Sequence, residues 1–72
     1  MPESENRTYA EALWDHITMD PEELRFRHGD LIEIIDMNDK DWWYGALDDH
    51  QEGWLPATFV RVCNLMKVYL LP

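Results

Sequence analysis

Asp41-Trp42-Trp43-Tyr44-Gly45 decides how this chain is read, together with Gly53-Trp54-Leu55-Pro56 downstream. The aromatic run predicts a strand over 41–47, and in a strand successive side chains leave by opposite faces. Trp42 and Trp43 therefore cannot both enter one core. Four tryptophans in 72 residues are more than so small a domain can hide, since a chain of this size buries only about 60% of the surface it exposes when unfolded. Trp43 is expected to cover the side opposite Trp42, and the indole left outside marks where a function is to be sought.

The flanking segments predict more strands. Leu31-Ile32-Glu33-Ile34-Ile35-Asp36 is short, β-branched and bounded by polar residues, which favours strand, with helix as the minor alternative. Gly29-Asp30 before it reads as a turn, and Met37 to Lys40 after it as a connection. Glu22 to Arg27 alternates, with Leu24 and Phe26 on one side and charges on the other, the pattern of a half-buried strand. Thr8 to Leu13 also suits a strand. Between them, Trp14 to Gly29 is too irregular for a helix face and too long for a tight turn, so a long folded-back loop is expected. Downstream, Asp48 to Gly53 reads as a polar hairpin connection, Trp54-Leu55 starts the next strand and Pro56 ends it, having no N–H for a ladder. Ala57-Thr58-Phe59 has the length of one 3-10 turn, and Val60 to Cys63 alternates as a last strand. The fold class is all-β: five short strands at close spacing predict a small antiparallel barrel. Residues 1–8 are read as a flexible lead-in, 9–63 as the domain and 64–72 as an apolar tail. The tail could cover a barrel edge, mark a cut from a longer chain, meet a partner or drive self-association.

Composition narrows the function. Six basic against fifteen acidic side chains give a net charge of -9, which repels nucleic-acid phosphates and anionic lipid heads and suits a basic protein surface or peptide. The alternative is that the acids only keep a small domain soluble. Cys63 is the single cysteine, so neither an internal disulfide nor a cysteine zinc cluster is expected, in keeping with a reducing, cytoplasmic setting. Residues 1–6 have no signal-peptide pattern, and no apolar run reaches the roughly 20 residues of a membrane span. The chain reads as soluble.

Catalysis finds no foothold. His16, His28 and His50 lie in different connections without metal-ligand spacing. Ser4, the only serine, sits in the lead-in. Carboxylate pairs such as Asp48-Asp49 fall in a loop with no apolar pocket to raise one pKa. No glycine-rich phosphate loop is present, and no cofactor or metal is expected. What remains is aromatic and acidic. Trp14, Trp42, Trp54, Pro56 and Phe59 would converge on one face if the loop after Leu13 folds over the sheet, beside Asp20, Glu22, Glu23, Asp39 and Asp41. Such a face suits a proline-rich segment, whose extended helix is already formed and whose flanking Arg or Lys meets the acids. For each ring, ordinary core packing is the competing reading.

Ala12-Leu13-Trp14-Asp15-His16 resembles the ALYDY stretch of Src homology 3 (SH3) domains. The family's other motifs follow in order: Glu23-Leu24-Arg25-Phe26 with Gly29-Asp30, the pair Trp42-Trp43, and Gly53-Trp54-Leu55-Pro56-Ala57-Thr58-Phe59-Val60. The resemblance covers about residues 9–63. It implies an SH3-like barrel with a long RT loop, and a core of Ala12, Leu24, Phe26, Ile32, Ile34, Gly45, Leu55 and Val60. It also implies a ligand site of Trp14, His16, Trp42, Trp54, Pro56 and Phe59 with the acidic loop. In finer wording, residues 10–19 and 54–61 are similar to the SH3 domains of the Asef and collybistin group of Dbl-family Rho guanine nucleotide exchange factors. There the domain precedes Dbl-homology and pleckstrin-homology domains and is implicated in autoinhibition through contacts within the same protein. This chain departs from ordinary members, which have Tyr at Trp14, His16 and Phe59 and Asn at Thr58. Each lost ligand hydrogen bond is worth about 0.5–1.5 kcal/mol, so losing three would cost roughly 2–4 kcal/mol of PxxP affinity. The larger ring at Trp14 would offset part of that. If His16 lies at the contact, partner binding is expected to change between about pH 5.5 and 7.5.

Overall fold

The computed structural model describes residues 7–48 and 50–63. Five strands are present: β1 (Thr8–Ala12), β2 (Leu31–Asp36), β3 (Trp42–Asp48), β4 (Gln51–Pro56) and β5 (Val60–Cys63). They form one antiparallel sheet in the order β4-β3-β2-β1-β5. A 3-10 turn, Ala57–Phe59, joins the two edge strands in sequence, and no ladder links β4 to β5 among the described residues. The barrel is open at that seam. The lead-in through residue 6 and the tail 64–72 lie outside the described residues.

Period-two alternation builds the core. Ala10 lies opposite Ile32 and Val62, and Ala12 opposite Val60, so one face of β1 meets the inner faces of both neighbours. Ala10, Ala12, Leu24, Phe26, Ile32, Ile34, Leu55 and Val60 form the buried cluster, with Trp43, Leu47 and Phe59 packed against its rim. Every core residue the resemblance implied is inside, Gly45 included, and Ala10 joins them. The two adjacent tryptophans divide as the alternation required. Trp43 is half-buried against the core, and Trp42 is exposed.

Two expectations need correction. Residues 22–27 do not form a strand of the sheet, although Leu24 and Phe26 are buried. Alternation reported the burial, but the backbone makes only isolated bridges, His16 to Phe26 and Glu23 to Trp54. The arm runs parallel to β4 and spends its hydrogen bonds one at a time, Leu24 N–H to Trp54 O at 2.7 Å and Trp54 N–H to Glu22 O at 2.9 Å. Likewise, Asp48 to Gly53 is not all connection. β3 runs to Asp48 and β4 starts at Gln51, with a register shift between Ala46 and Asp48, and Asp48 Oδ1 accepts the His50 N–H at 2.8 Å. The segment is polar because the hairpin end stands in solvent, not because it lacks ladder structure.

Two glycines are required by position. Gly53 lies inside β4, and a Cβ there would come within 2.8 Å of Glu22 O, Glu23 C and Leu24 N; only hydrogen lets the RT arm lie against the strand. Gly29 has φ +93°, the left-handed conformation that glycine adopts without steric cost. It closes the turn before β2, donating its N–H to Ala12 O at 2.8 Å.

Candidate ligand-binding groove

Across the β3–β4 ladder Trp42 faces Pro56 and Tyr44 faces Trp54, whereas Trp43 with Leu55 and Gly45 with Gly53 occupy the alternate rows. Cross-strand partners share a face, so Trp42, Tyr44, Trp54 and Pro56 look outward together. Trp42 remains 41% exposed and Trp54 37%. Tyr44 props Trp54 in an edge-to-face contact, ring centroids 4.9 Å apart. The Tyr44 hydroxyl donates to Glu52 Oε2 at 3.0 Å. That bond, then desolvation and the charges of Glu52 and Glu22, raises the Tyr44 pKa above the ordinary 10.0.

Loops on either side supply the acids. Asp20 to Glu23 is a turn closed by Glu23 N–H to Asp20 O at 3.1 Å and by Glu22 N–H to Asp20 Oδ1 at 2.9 Å. On the other bank, Asp39 Oδ2 accepts the N–H groups of both Asp41 and Trp42 at 2.9 Å, while Trp43 Nε1–H donates to Asp39 O at 2.9 Å. The Asp41 N–H first, and the Trp42 N–H second, hold the Asp39 carboxyl below its usual value of 3.8. Asp20, Glu22, Glu23 and Asp39 with Trp42 and Trp54 line a groove of about 440 Å³. Four carboxylates beside two indoles give the groove a negative wall and aromatic faces, a combination whose charge and quadrupoles favour a basic side chain over an acidic one.

The remaining predicted residues are arranged differently. His16 is buried, 9% exposed. Its Nδ1 lies 2.7 Å from Leu24 O, and a carbonyl can only accept, so Nδ1 carries the hydrogen. Nε2 lies 3.3 Å from Glu23 Oε1, and the ring packs on Phe26 and Phe59 with centroids 5.3 and 5.7 Å away. This ring braces the RT loop from within. Trp14 is 61% exposed, and the preceding N–H, of Leu13, donates to Phe59 O at 2.8 Å, so the ALYDY-like stretch is tied to the 3-10 turn. Trp14, Asp41, Pro56 and Phe59 do not line the groove of Trp42 and Trp54. Asp41 contributes through its backbone, its carbonyl accepting the Ala57 N–H at 2.9 Å. Tyr44 was absent from the predicted site; its position two residues from Trp42 in a strand was the signal that places it on the same face.

The sequence profile of the SH3 domain family matches residues 11–57. The chain belongs to the SH3 domain family. It is a non-catalytic protein-interaction module, and its open five-stranded sheet with one 3-10 turn is SH3-like. The SH3 domain is 57% identical over 53 residues to human Rho guanine nucleotide exchange factor 9, a match that takes in 74% of this chain and 10% of that protein. Human Rho guanine nucleotide exchange factor 4 matches at 57% over 53 residues as well, 8% of its length. The chain thus spans a small part of the curated relatives it matches. Septation protein imp2 of Schizosaccharomyces pombe is 41% identical over 56 residues. Among solved structures, the C-terminal SH3 domain of myosin IB from Entamoeba histolytica, bound to an EhFP10(GEF) peptide, superposes with a TM-score of 0.72 at 36% identity. That likeness covers 81% of this chain and 95% of the other. Among the described residues no helix is long and apolar enough to cross a membrane.

Proposed function

We propose that this SH3 domain holds a basic, extended protein segment in the groove of Trp42 and Trp54 and thereby regulates a Rho guanine nucleotide exchange factor in the cytoplasm, through an atypical ligand or the Dbl-homology and pleckstrin-homology region of the same protein. One observation carries it: four carboxylates and two exposed indoles line a single groove. The exchange-factor setting is supported by 57% identity to factors 9 and 4. An atypical partner is favoured because Trp14, His16 and Phe59 supply no phenolic hydroxyl, and His16 turns both ring nitrogens to the RT loop. The experiment is a titration of the domain with arginine-bearing PxxP peptides beside a Dbl-homology and pleckstrin-homology fragment, following the Trp42 indole resonance. Saturation by the fragment, with only weak peptide shifts, is the expected result.

A conventional adaptor that binds basic proline-rich peptides is the second reading. It is favoured by Pro56 lying directly across from Trp42 and by the peptide bound to the myosin IB domain. Saturable low-micromolar shifts at Trp42 with the PxxP peptides would overturn the first reading in its favour. Trp42→Lys should abolish binding under either reading without melting the domain, since the side chain is exposed.

A further inference from the structure

We propose that the ligand's path continues past Trp54, over the Asp20–Glu23 turn, into a second groove that takes one basic residue of the bound segment's flank followed by apolar ones. This rests on the groove of Trp42 and Trp54 being the ligand site.

The second groove, of about 640 Å³, lies between the RT-loop tip and the start of β4. Asp20 and Glu23 line both grooves, so the two meet at the turn and share its charge. Each of these carboxylates commits one oxygen to the loop itself, Asp20 Oδ1 to the Glu22 N–H and Glu23 Oε1 to the neighbourhood of His16 Nε2. The saddle between the grooves is therefore shaped and negative before any ligand arrives. Met19 and Pro21 give the second groove an apolar stretch of rim above the buried Leu24, and Glu52 adds a third acid. Met19 is 95% exposed; an unbranched thioether held in solvent is a side chain able to adapt to an incoming apolar residue. Arg25 and His50 line the same groove, which restricts the flank to a single positive charge beside the turn. The RT loop thus acts as a divide that a ligand straddles, with specificity read on both slopes.

Three synthetic peptides test this against the 72-residue chain by amide and indole NMR: a core Arg-Pro-Leu-Pro-Pro-Leu-Pro, the same core followed by Lys-Leu-Leu, and the same core preceded by Leu-Leu-Lys, so that the lysine adjoins the core in both. One extended peptide should bind about five-fold or more tighter than the core and move the amides of Met19 and Gln51 as well as the Trp42 indole. Gln51→Arg and Met19→Ser should remove that gain while leaving core affinity within about two-fold. Equal affinity of core and extended peptides overturns the proposal, as does a gain that survives both substitutions. Shifts at Met19 and Gln51 without Trp42 would make the second groove a separate site and also overturn it. If no peptide moves Trp42, this proposal falls, whereas the reading of the first groove falls only if the Dbl-homology and pleckstrin-homology fragment also leaves Trp42 unmoved.

Discussion

The carboxylate of Asp39 accepts the backbone N–H of Trp42, the residue it helps aim into the groove, at 2.9 Å. A side chain that the acidic composition offered as a ligand contact is thus also a positioning device for its aromatic neighbour. Asp39→Ala should weaken partner binding far more than it lowers the melting temperature, because the exposed loop bears little of the fold. A binding isotherm and a thermal melt on the same variant check this. Equal losses in both would mean that the loop is structural only.

The same interaction carries a pH dependence. Asp39 titrates below the ordinary 3.8 in the folded domain, so its contribution is fully present above the unfolded value and is lost as pH falls through the folded one. Melting temperature followed from pH 7 downward should show wild type and Asp39→Asn converging below about pH 4. A constant gap at all pH values would count against the hydrogen-bonded carboxylate.

Tyr44 carries a dependence on alkaline pH. Its folded pKa is raised above 10.0 by donation to Glu52, so this stabilisation is complete below pH 10 and disappears as pH rises through the folded value. Tyr44→Phe should flatten the alkaline arm of the stability curve. The same variant keeps the ring that props Trp54, so binding at neutral pH should be retained.

His16→Ala should cost about 2–4 kcal/mol in urea denaturation, from the cavity left by a buried ring and the Leu24 carbonyl left without its donor. A residue that only touched ligand would lose affinity at unchanged stability. That outcome would reverse the assignment of His16 as an internal brace.

Gly53→Ala should cost about 1–3 kcal/mol, since its Cβ collides with backbone that cannot swing aside, Glu22 O and Leu24 N among it. Gly29→Ala meets nothing within 4 Å and pays only for a left-handed backbone, about 1–2 kcal/mol. Denaturation midpoints of the two variants separate steric from conformational cost, and the first should also lose ligand binding.

Much of the fold was legible because it is written with period two. Leu31 to Asp36, the Trp42–Trp43 division, the stop at Pro56 and the 3-10 turn after it all follow from residues within a few positions of one another. The RT arm departs from the strand its pattern suggests, because alternation at Leu24 and Phe26 reports burial, and burial does not distinguish a ladder strand from a loop laid on the core. Gly53 and His16 depend on segments distant in sequence that come into contact only in the fold, Gly53 on Glu22 to Leu24 and His16 on Leu24 and Phe59. Of the groove, its acids and its two tryptophans were readable from residue type, and the face of Tyr44 from its spacing to Trp42; only the pairing of Tyr44 with Trp54 needed the β3–β4 register.

The bonds from Leu24 N–H to Trp54 O and from Trp54 N–H to Glu22 O occupy the outer margin of β4, the last strand on its side of the sheet. An uncovered edge strand is a template on which other chains can pair. The loop that forms one bank of the groove therefore also covers this edge of the sheet. Substitutions that free the RT arm should raise aggregation along with their loss of affinity, so one backbone contact ties the groove's shape to the solubility of the fold.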